Sequence, residues 1–296
     1  MSAPWLMVLA SLLFATMGVC VKLASAQYGS GEIVFYRGLV GALMIGVATV
    51  WKGTTLRTAV PARHFWRSLT GVTALCLWFY AIGNLPLATA MTLNYSSSVW
   101  MALFLLGSAA VFRTRPVDRR LVVAVLLGFT GVALILRPTI EEQQLWHGLA
   151  GLLSGMVSAM AYLQVTSLGR AGEPEGRIVF YFSVGGIFGG ALLSSLAGWH
   201  AHTWGGIGLL LAVGVLATVA QLMITRAYAK GRPLVNASLQ YLGIAFSFLY
   251  GVLLFGDRIT WLAVVGMLLI VAAGVRATLL RTRVVTASSV APSTET

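Results

Sequence analysis

The chain has 296 residues, of which 58% are hydrophobic and 9% are charged. Soluble domains carry about 25% charged residues, so this composition cannot cover globules of such length with a solvated surface, and the solvent must be largely lipid. The formal net charge of +12 sits in short gaps between apolar runs. It forms no continuous basic face with polar or aromatic readers, which excludes a nucleic-acid binder, and the shortage of charge excludes a soluble enzyme.

Solid apolar stretches recur along the chain at residues 4–25, 33–51, 65–84, 87–111, 121–137, 146–168, 177–198, 204–227, 234–255 and 259–280. Each is long enough to cross a hydrocarbon core of ~30 Å at ~1.5 Å per residue. The pattern predicts an all-α integral membrane protein of ten transmembrane helices. Barrel strands are excluded, because they alternate over ~10 residues. The first stretch precedes Ala24-Ser25-Ala26, which resembles a signal-peptide cleavage site. No Lys or Arg precedes Trp5, however, and the run exceeds a usual h-region, so it is read as a retained span. Cys20 and Cys76 fall inside apolar runs and make neither a disulfide framework nor a metal site.

Basic residues set the orientation. With the N-terminus inside, 16 of them are cytoplasmic, among them Arg57, Arg63, Arg67, the Arg113–Arg120 group, Arg170, Arg177 and Arg281. Only Lys22, Arg37, Arg137 and Arg258 are left outside. This asymmetry predicts that both termini are cytoplasmic. Residues 284–296, rich in Ser and Thr, read as a disordered cytoplasmic tail.

The chain also repeats itself. Glu32-Ile-Val-Phe-Tyr36 opens the second span and Arg177-Ile-Val-Phe-Tyr181 the seventh, 145 residues later. Leu93-Asn94-Tyr95 matches Leu239-Gln240-Tyr241 at an offset of 146. Five spans per half would send the second half in from the opposite side. The expected organisation is therefore a first five-helix repeat over 1–140 and a second, inverted one over 141–283. Inverted repeats are characteristic of transporters that alternate access about a midplane site.

Catalytic and nucleotide-binding motifs are absent: there is no G-x-x-x-x-G-K-[ST], no H-E-x-x-H and no G-x-S-x-G. No enzyme activity, cofactor, metal or nucleotide is implied. His200 and His202 read as an exposed polar loop. All eight acidic residues fall in loops, at span ends or in the tail. A deep carboxylate is the device by which proton and organic cation compete for one site. Its absence favours zwitterionic or neutral solutes over strongly cationic ones.

The deep polar and aromatic residues are the candidate substrate contacts: Thr16, Trp78, Tyr80, Asn94, Tyr95, Ser97, Ser98, Tyr162, Gln164, Gln221, Gln240 and Tyr241. Interhelical hydrogen bonding is the competing reading of each. Tyr95 and Tyr241 stand apart from the rest. They are repeat-related and lie roughly 10 Å into their spans from opposite faces, where two aromatics could close a cavity alternately. The G-x-x-x-G patterns at Gly185-Gly186-Ile-Phe-Gly189-Gly190, and Gly38 with Ala42, mark faces of close helix approach.

Several of these motifs resemble the EamA family of the drug/metabolite transporter superfamily. They are Lys22 ending the first span, Phe35-Tyr36-Arg37-Gly38, Phe79-Tyr80-Ala81-Ile82-Gly83-Asn84-Leu85-Pro86, Leu239-Gln240-Tyr241-Leu242, and Phe255-Gly256-Asp257-Arg258-Ile259-Thr260 followed by Gly266. The chain departs from the family pattern at Ile244, where Pro is frequent, and at Asp257, where Glu is. Within the family it is most similar to YddG-type exporters of aromatic and other amino acids. The resemblance implies a central cavity lined by spans one, three, four, six, eight and nine. The expected activity is export of small metabolites, foremost amino acids, by alternating access in the lipid bilayer, with no oligomer required. A nucleotide-sugar or quaternary-amine carrier, and more remotely a membrane receptor or membrane enzyme, are the alternatives.

Overall fold

The computed structural model describes residues 3–97, 145–230, 241–257 and 260–276 apart from 263 and 274, with isolated residues between 99 and 134. Every regular element among the described residues is a helix. The long ones are α1 (Ala3–Ala24), α2 (Ser30–Trp51), α3 (Pro61–Asn84), α5 (Leu145–Arg170), α6 (Glu175–Ala197) and α7 (Trp204–Lys230). Between α3 and α5 lies the short α4 (Leu87–Tyr95), and after α7 come α8 (Leu242–Phe255) and α9 (Val264–Ala273). The six long helices are each apolar and long enough to cross a membrane.

Local chemistry explains where these helices begin and end. At the start of α2 the Glu32 side chain turns back and accepts a hydrogen bond from the Gly29 amide at 3.0 Å. This satisfies an orphan donor and places a negative charge against the positive end of the helix. Pro61 opens α3 where its missing N–H costs nothing. α6 stops at Gly198 and α8 at Gly256, both with positive φ, 100° and 61°, a conformation glycine adopts without a Cβ penalty.

The expected fourth span, 87–111, is not one continuous helix. It breaks after Tyr95, at a turn on Ser96, and helix resumes at Ser97. Ser96 Oγ donates to the Leu93 carbonyl at 2.6 Å, offering the backbone a local alternative to the regular ladder. All nine residues of α4 are buried, so this segment is central to the bundle. Most of the expected span at 121–137 and of 100–111, the stretch 231–240 and the tail lie outside the described residues.

α2 and α6, which carry the two copies of Ile-Val-Phe-Tyr, are antiparallel neighbours in direct backbone contact. A Cβ on Gly38 would stand 2.6 Å from the Ser183 carbonyl oxygen, and one on Gly190 would stand 2.5 Å from the Phe35 nitrogen. Of the glycines flagged in the sequence, Gly38, Gly186 and Gly190 mark this crossing, while Gly185 and Gly189 face Ser68 and Val72 of α3. Lipid cannot drive apolar helices together, so close van der Waals approach must do so. Outward faces are apolar, with Leu43 and Val47 on α2 and Phe188, Leu192 and Leu196 on α6 exposed. Trp51 and Trp204 stand fully open at helix ends, the positions of an interfacial aromatic belt.

Three of the separated motifs meet at one end of the bundle. Lys22 Nζ donates to the Leu85 carbonyl at 2.6 Å, and the Leu87 amide donates to Asp257 Oδ2 at 3.0 Å. The basic end of α1 and the acid after α8 thus clamp the α3–α4 junction, one through its carbonyl and the other through its amide.

Candidate functional site

A cavity lies at the centre of the bundle. Its aromatic and apolar wall comes from Phe14 on α1, Leu75 and Trp78 on α3, Tyr95 on α4, Tyr162 on α5 and Phe182 on α6. Its polar wall comes from Asn94, Ser158 and Gln221. Phe14 and Trp78 pack with ring centres 6.5 Å apart. Asn94 Nδ2 donates to Ser154 Oγ at 3.0 Å and to Ser158 Oγ at 3.2 Å, so its amide is held by α5.

Two cations enter this cavity. Arg37 on α2 and Arg67 on α3 are 5% and 4% exposed. Their guanidinium carbons lie 4.9 Å and 4.2 Å from the centre of the Phe182 ring. The Arg67 guanidinium folds back over Gly71, into the space where a side chain at that position would lie. Nε of both arginines and Nη1 of Arg67 have no hydrogen-bond partner among the described residues. The distribution of basic residues assigns Arg67 to the cytoplasmic side and Arg37 to the outer side. The structure instead buries both of them together.

Each end of the α2–α6 pair is tied by a carboxylate and a histidine. At the end where α2 begins, Glu32 accepts from His200 Nδ1 at 2.6 Å and from the His200 amide at 2.9 Å. Tyr36 is hydrogen-bonded to His202 Nε2 at 2.6 Å, their rings 5.2 Å apart. At the other end Glu173 accepts from Thr58 Oγ1 at 2.8 Å, His64 Nε2 at 3.1 Å and Arg177 Nη1 at 3.1 Å. There Tyr181 stacks on His64 with centres 4.6 Å apart, and its hydroxyl donates to the Leu56 carbonyl at 3.0 Å. Burial alone would raise the Glu173 carboxyl. The hydrogen bonds from Thr58, His64 and Arg177, with the Arg177 charge, outweigh it and hold the group below the usual carboxylate range. Tyr36 and Tyr181 are repeat mates in the sequence, and each packs its ring against a histidine at its own end of the pair, Tyr36 edge-on to His202 and Tyr181 tilted over His64. His200 and His202 lie in an exposed loop as expected, and there they are partners of Glu32 and Tyr36.

Of the expected contacts, Trp78, Asn94, Tyr95, Tyr162 and Gln221 come together around the cavity. Three others are engaged elsewhere. Thr16 bonds the Leu12 carbonyl and the Tyr250 hydroxyl, Gln164 accepts from Thr70, and Tyr80 is exposed and packs on His147. Tyr241 is buried at the start of α8, beside Gly243, and a Cβ on Gly243 would lie 2.7 Å from the Tyr95 hydroxyl. Ser98 and Gln240 lie outside the described residues. The lining includes α1, α3, α4, α5 and α7, as the resemblance implied for spans one, three, four, six and eight. It also draws on α2 and α6 through Arg37 and Phe182, which were not expected. For Arg37 the signal was depth, since it lies about 10 Å into the apolar α2; Arg67 follows Arg63 and His64 near the start of α3 and carries no such signal.

Comparisons with known proteins agree with this architecture. The profile of the EamA-like transporter family matches residues 1–137. The chain is 32% identical to the pseudopaline exporter CntI of Pseudomonas aeruginosa over 272 residues, covering 90% of this chain and 93% of that protein. It is 27% identical to a riboflavin transporter of Rhizobium johnstonii, covering 81% and 76% respectively. One solved crystal structure, 18% identical, shares the fold with a TM-score of 0.65 over 95% of this chain and 98% of that one. The chain belongs to the EamA-like transporter family and is a multi-pass membrane transporter.

Proposed function

We propose that this transporter exports small metabolites, foremost amino acids and related solutes, across a bacterial inner membrane by alternating access through the central cavity. The observation that carries the reading is the convergence of seven helices on one buried site with an aromatic wall, amide groups and two cations. The ring surfaces of Trp78, Phe14 and Tyr95 suit the apolar part of a solute. Gln221 and the Oδ1 of Asn94 suit its polar groups. A quaternary amine would set a third positive charge beside Arg37 and Arg67, which disfavours that alternative.

The organisation we propose is ten spans in two inverted halves, 1–140 and 141–283, with cytoplasmic termini and a cytoplasmic tail over 284–296. The antiparallel α2–α6 pair supports it, because repeat-related tyrosines meet histidines at opposite ends. Impermeant maleimide should label Ala201→Cys only from outside and Ala59→Cys only from inside, in a Cys20→Ala, Cys76→Ala background; the reverse pattern would refute the orientation. Counterflow of radiolabelled amino acids in proteoliposomes tests the substrate class, with a nucleotide sugar and choline as competing arms. Counterflow of either competitor without any amino acid would refute it.

A further inference from the structure

We propose that Arg37 and Arg67 form a paired anion site, and that the solutes this cavity prefers are organic dianions carrying two carboxylates or one phosphate on an apolar body. The proposal rests on the cavity being the transporter's substrate site, and it narrows the substrate class.

A guanidinium cannot lose its proton under ordinary conditions and carries five N–H donors in a rigid fork. Two such groups are nearly completely buried here, and three of their donor nitrogens are unpartnered among the described residues. Among the described residues, the ion pairs involve neither arginine and the cavity lining holds no Asp or Glu. Glu32, on α2, is committed to His200, and Glu173, just before α6, to His64, Thr58 and Arg177; Glu175 opens α6 about two turns from Phe182 and is not among the lining residues. What faces both arginines is the ring of Phe182, a weaker partner than an oxyanion.

Two like charges buried beside one ring are unfavourable without a counter-charge. A zwitterionic amino acid brings one carboxylate, offset by its own ammonium, and so leaves the pair uncompensated. A dianion neutralises both, and carboxylate or phosphate oxygens match the guanidinium fork bidentately. The remainder of the cavity fits the other end of such a solute. Phe14 and Trp78 offer ring surface, and Asn94, its amide nitrogen already donating to Ser154 and Ser158, keeps Oδ1 as an acceptor for a solute N–H. The two arginines come from consecutive helices that enter from opposite ends of the bundle. One dianion bridging them therefore contacts groups anchored at both ends.

The test is equilibrium binding of radiolabelled N-benzoyl-L-glutamate to the full-length protein in lipid nanodiscs. Unlabelled phenyl phosphate and the neutral diamide of N-benzoyl-L-glutamate serve as competitors. The expected result is saturable binding, displaced by dianions at least thirtyfold better than by the diamide. Affinity should fall at least tenfold in Arg37→Gln and in Arg67→Gln, with partial recovery in Arg67→Lys. Whichever of the two dianions competes better identifies carboxylate or phosphate as the preferred charge. Where a Gln variant does not fold, the comparison with the diamide on the unmodified protein decides. No saturable binding, equal displacement by the diamide, or undiminished affinity in both folded Gln variants would overturn the proposal. Dianion binding without counterflow of any solute would refute the transport route and leave the anion pair. Counterflow of neutral amino acids without dianion binding would do the opposite.

Discussion

Arg37 and Arg67, carried by consecutive antiparallel helices, converge on a single aromatic ring, with guanidinium carbons 4.9 Å and 4.2 Å from the centre of Phe182. The arrangement ties α2, α3 and α6 together at the cavity with no acid among the described lining residues. In a membrane bundle, where apolar burial supplies little net association energy, such polar contacts hold helices in register. They also leave Nε of both arginines and Nη1 of Arg67 without an acceptor among the described residues.

The Glu173 cluster joins the α2–α3 connection to the α5–α6 connection, and its behaviour with pH follows from the lowered carboxyl. A group whose folded value is depressed contributes stability that is complete above its ordinary value of about 4.3 and is lost as pH falls through the folded value. The thermal unfolding temperature should therefore drop on acidification below about pH 4. Glu173→Gln should be less stable at pH 7 by about 1–3 kcal/mol, the cost of weakened buried hydrogen bonds, and flatter in acid. Identical pH profiles for the two proteins, measured by differential scanning fluorimetry, would contradict this.

Gly190 sits where α6 touches the backbone of α2. Gly190→Val would push side-chain atoms against Phe35 and the Gly31 carbonyl. Overpacking of this kind costs about 1–3 kcal/mol or more, so thermal stability in detergent should fall. Gly205→Val, at a position with open space around it, should change stability little. Equal effects at the two positions would show that the crossing is not close-packed.

Tyr95 and Tyr241 are proposed as paired cavity or gate residues. Removing either ring should cost about 1–3 kcal/mol of ligand or gate interaction, or a five- to hundredfold loss of flux per folded molecule at about 1.4 kcal/mol per tenfold. Tyr→Phe should be much milder if stacking dominates. Flux normalised to folded protein decides; unchanged values in both Ala variants would end the gate proposal whatever happens to yield.

The long spans were legible because each is a solid apolar run, and the predicted 4–25 and 177–198 fall within two residues of α1 and α6. The break at Ser96 was not, because the apolar run continues through it. Its only trace was the polar string Asn94-Tyr95-Ser96-Ser97. Half of the cavity was legible in the same way: Trp78, Asn94, Tyr95, Tyr162 and Gln221 are deep and polar or aromatic, and they meet. Arg37 and Arg67 escaped because a count of charges by side treats every arginine as a marker of the membrane face. Depth along the helix sets Arg37 apart from such a marker, whereas Arg67, two residues inside the expected 65–84, reads as one. Thr16 and Gln164 show the converse, since a deep polar side chain satisfied by its neighbours is indistinguishable in sequence from one that faces a substrate.

The central claim is that solute crosses through this cavity. In the Cys20→Ala, Cys76→Ala background, Ser158→Cys places one thiol on the cavity wall next to Asn94. Counterflow of radiolabelled amino acid in proteoliposomes, measured on one sample before and after modification with a benzyl thiosulfonate and again after reduction, tests the route directly. The account predicts at least a tenfold loss on modification and full return on reduction; stoichiometric modification with unchanged flux would place the pathway elsewhere.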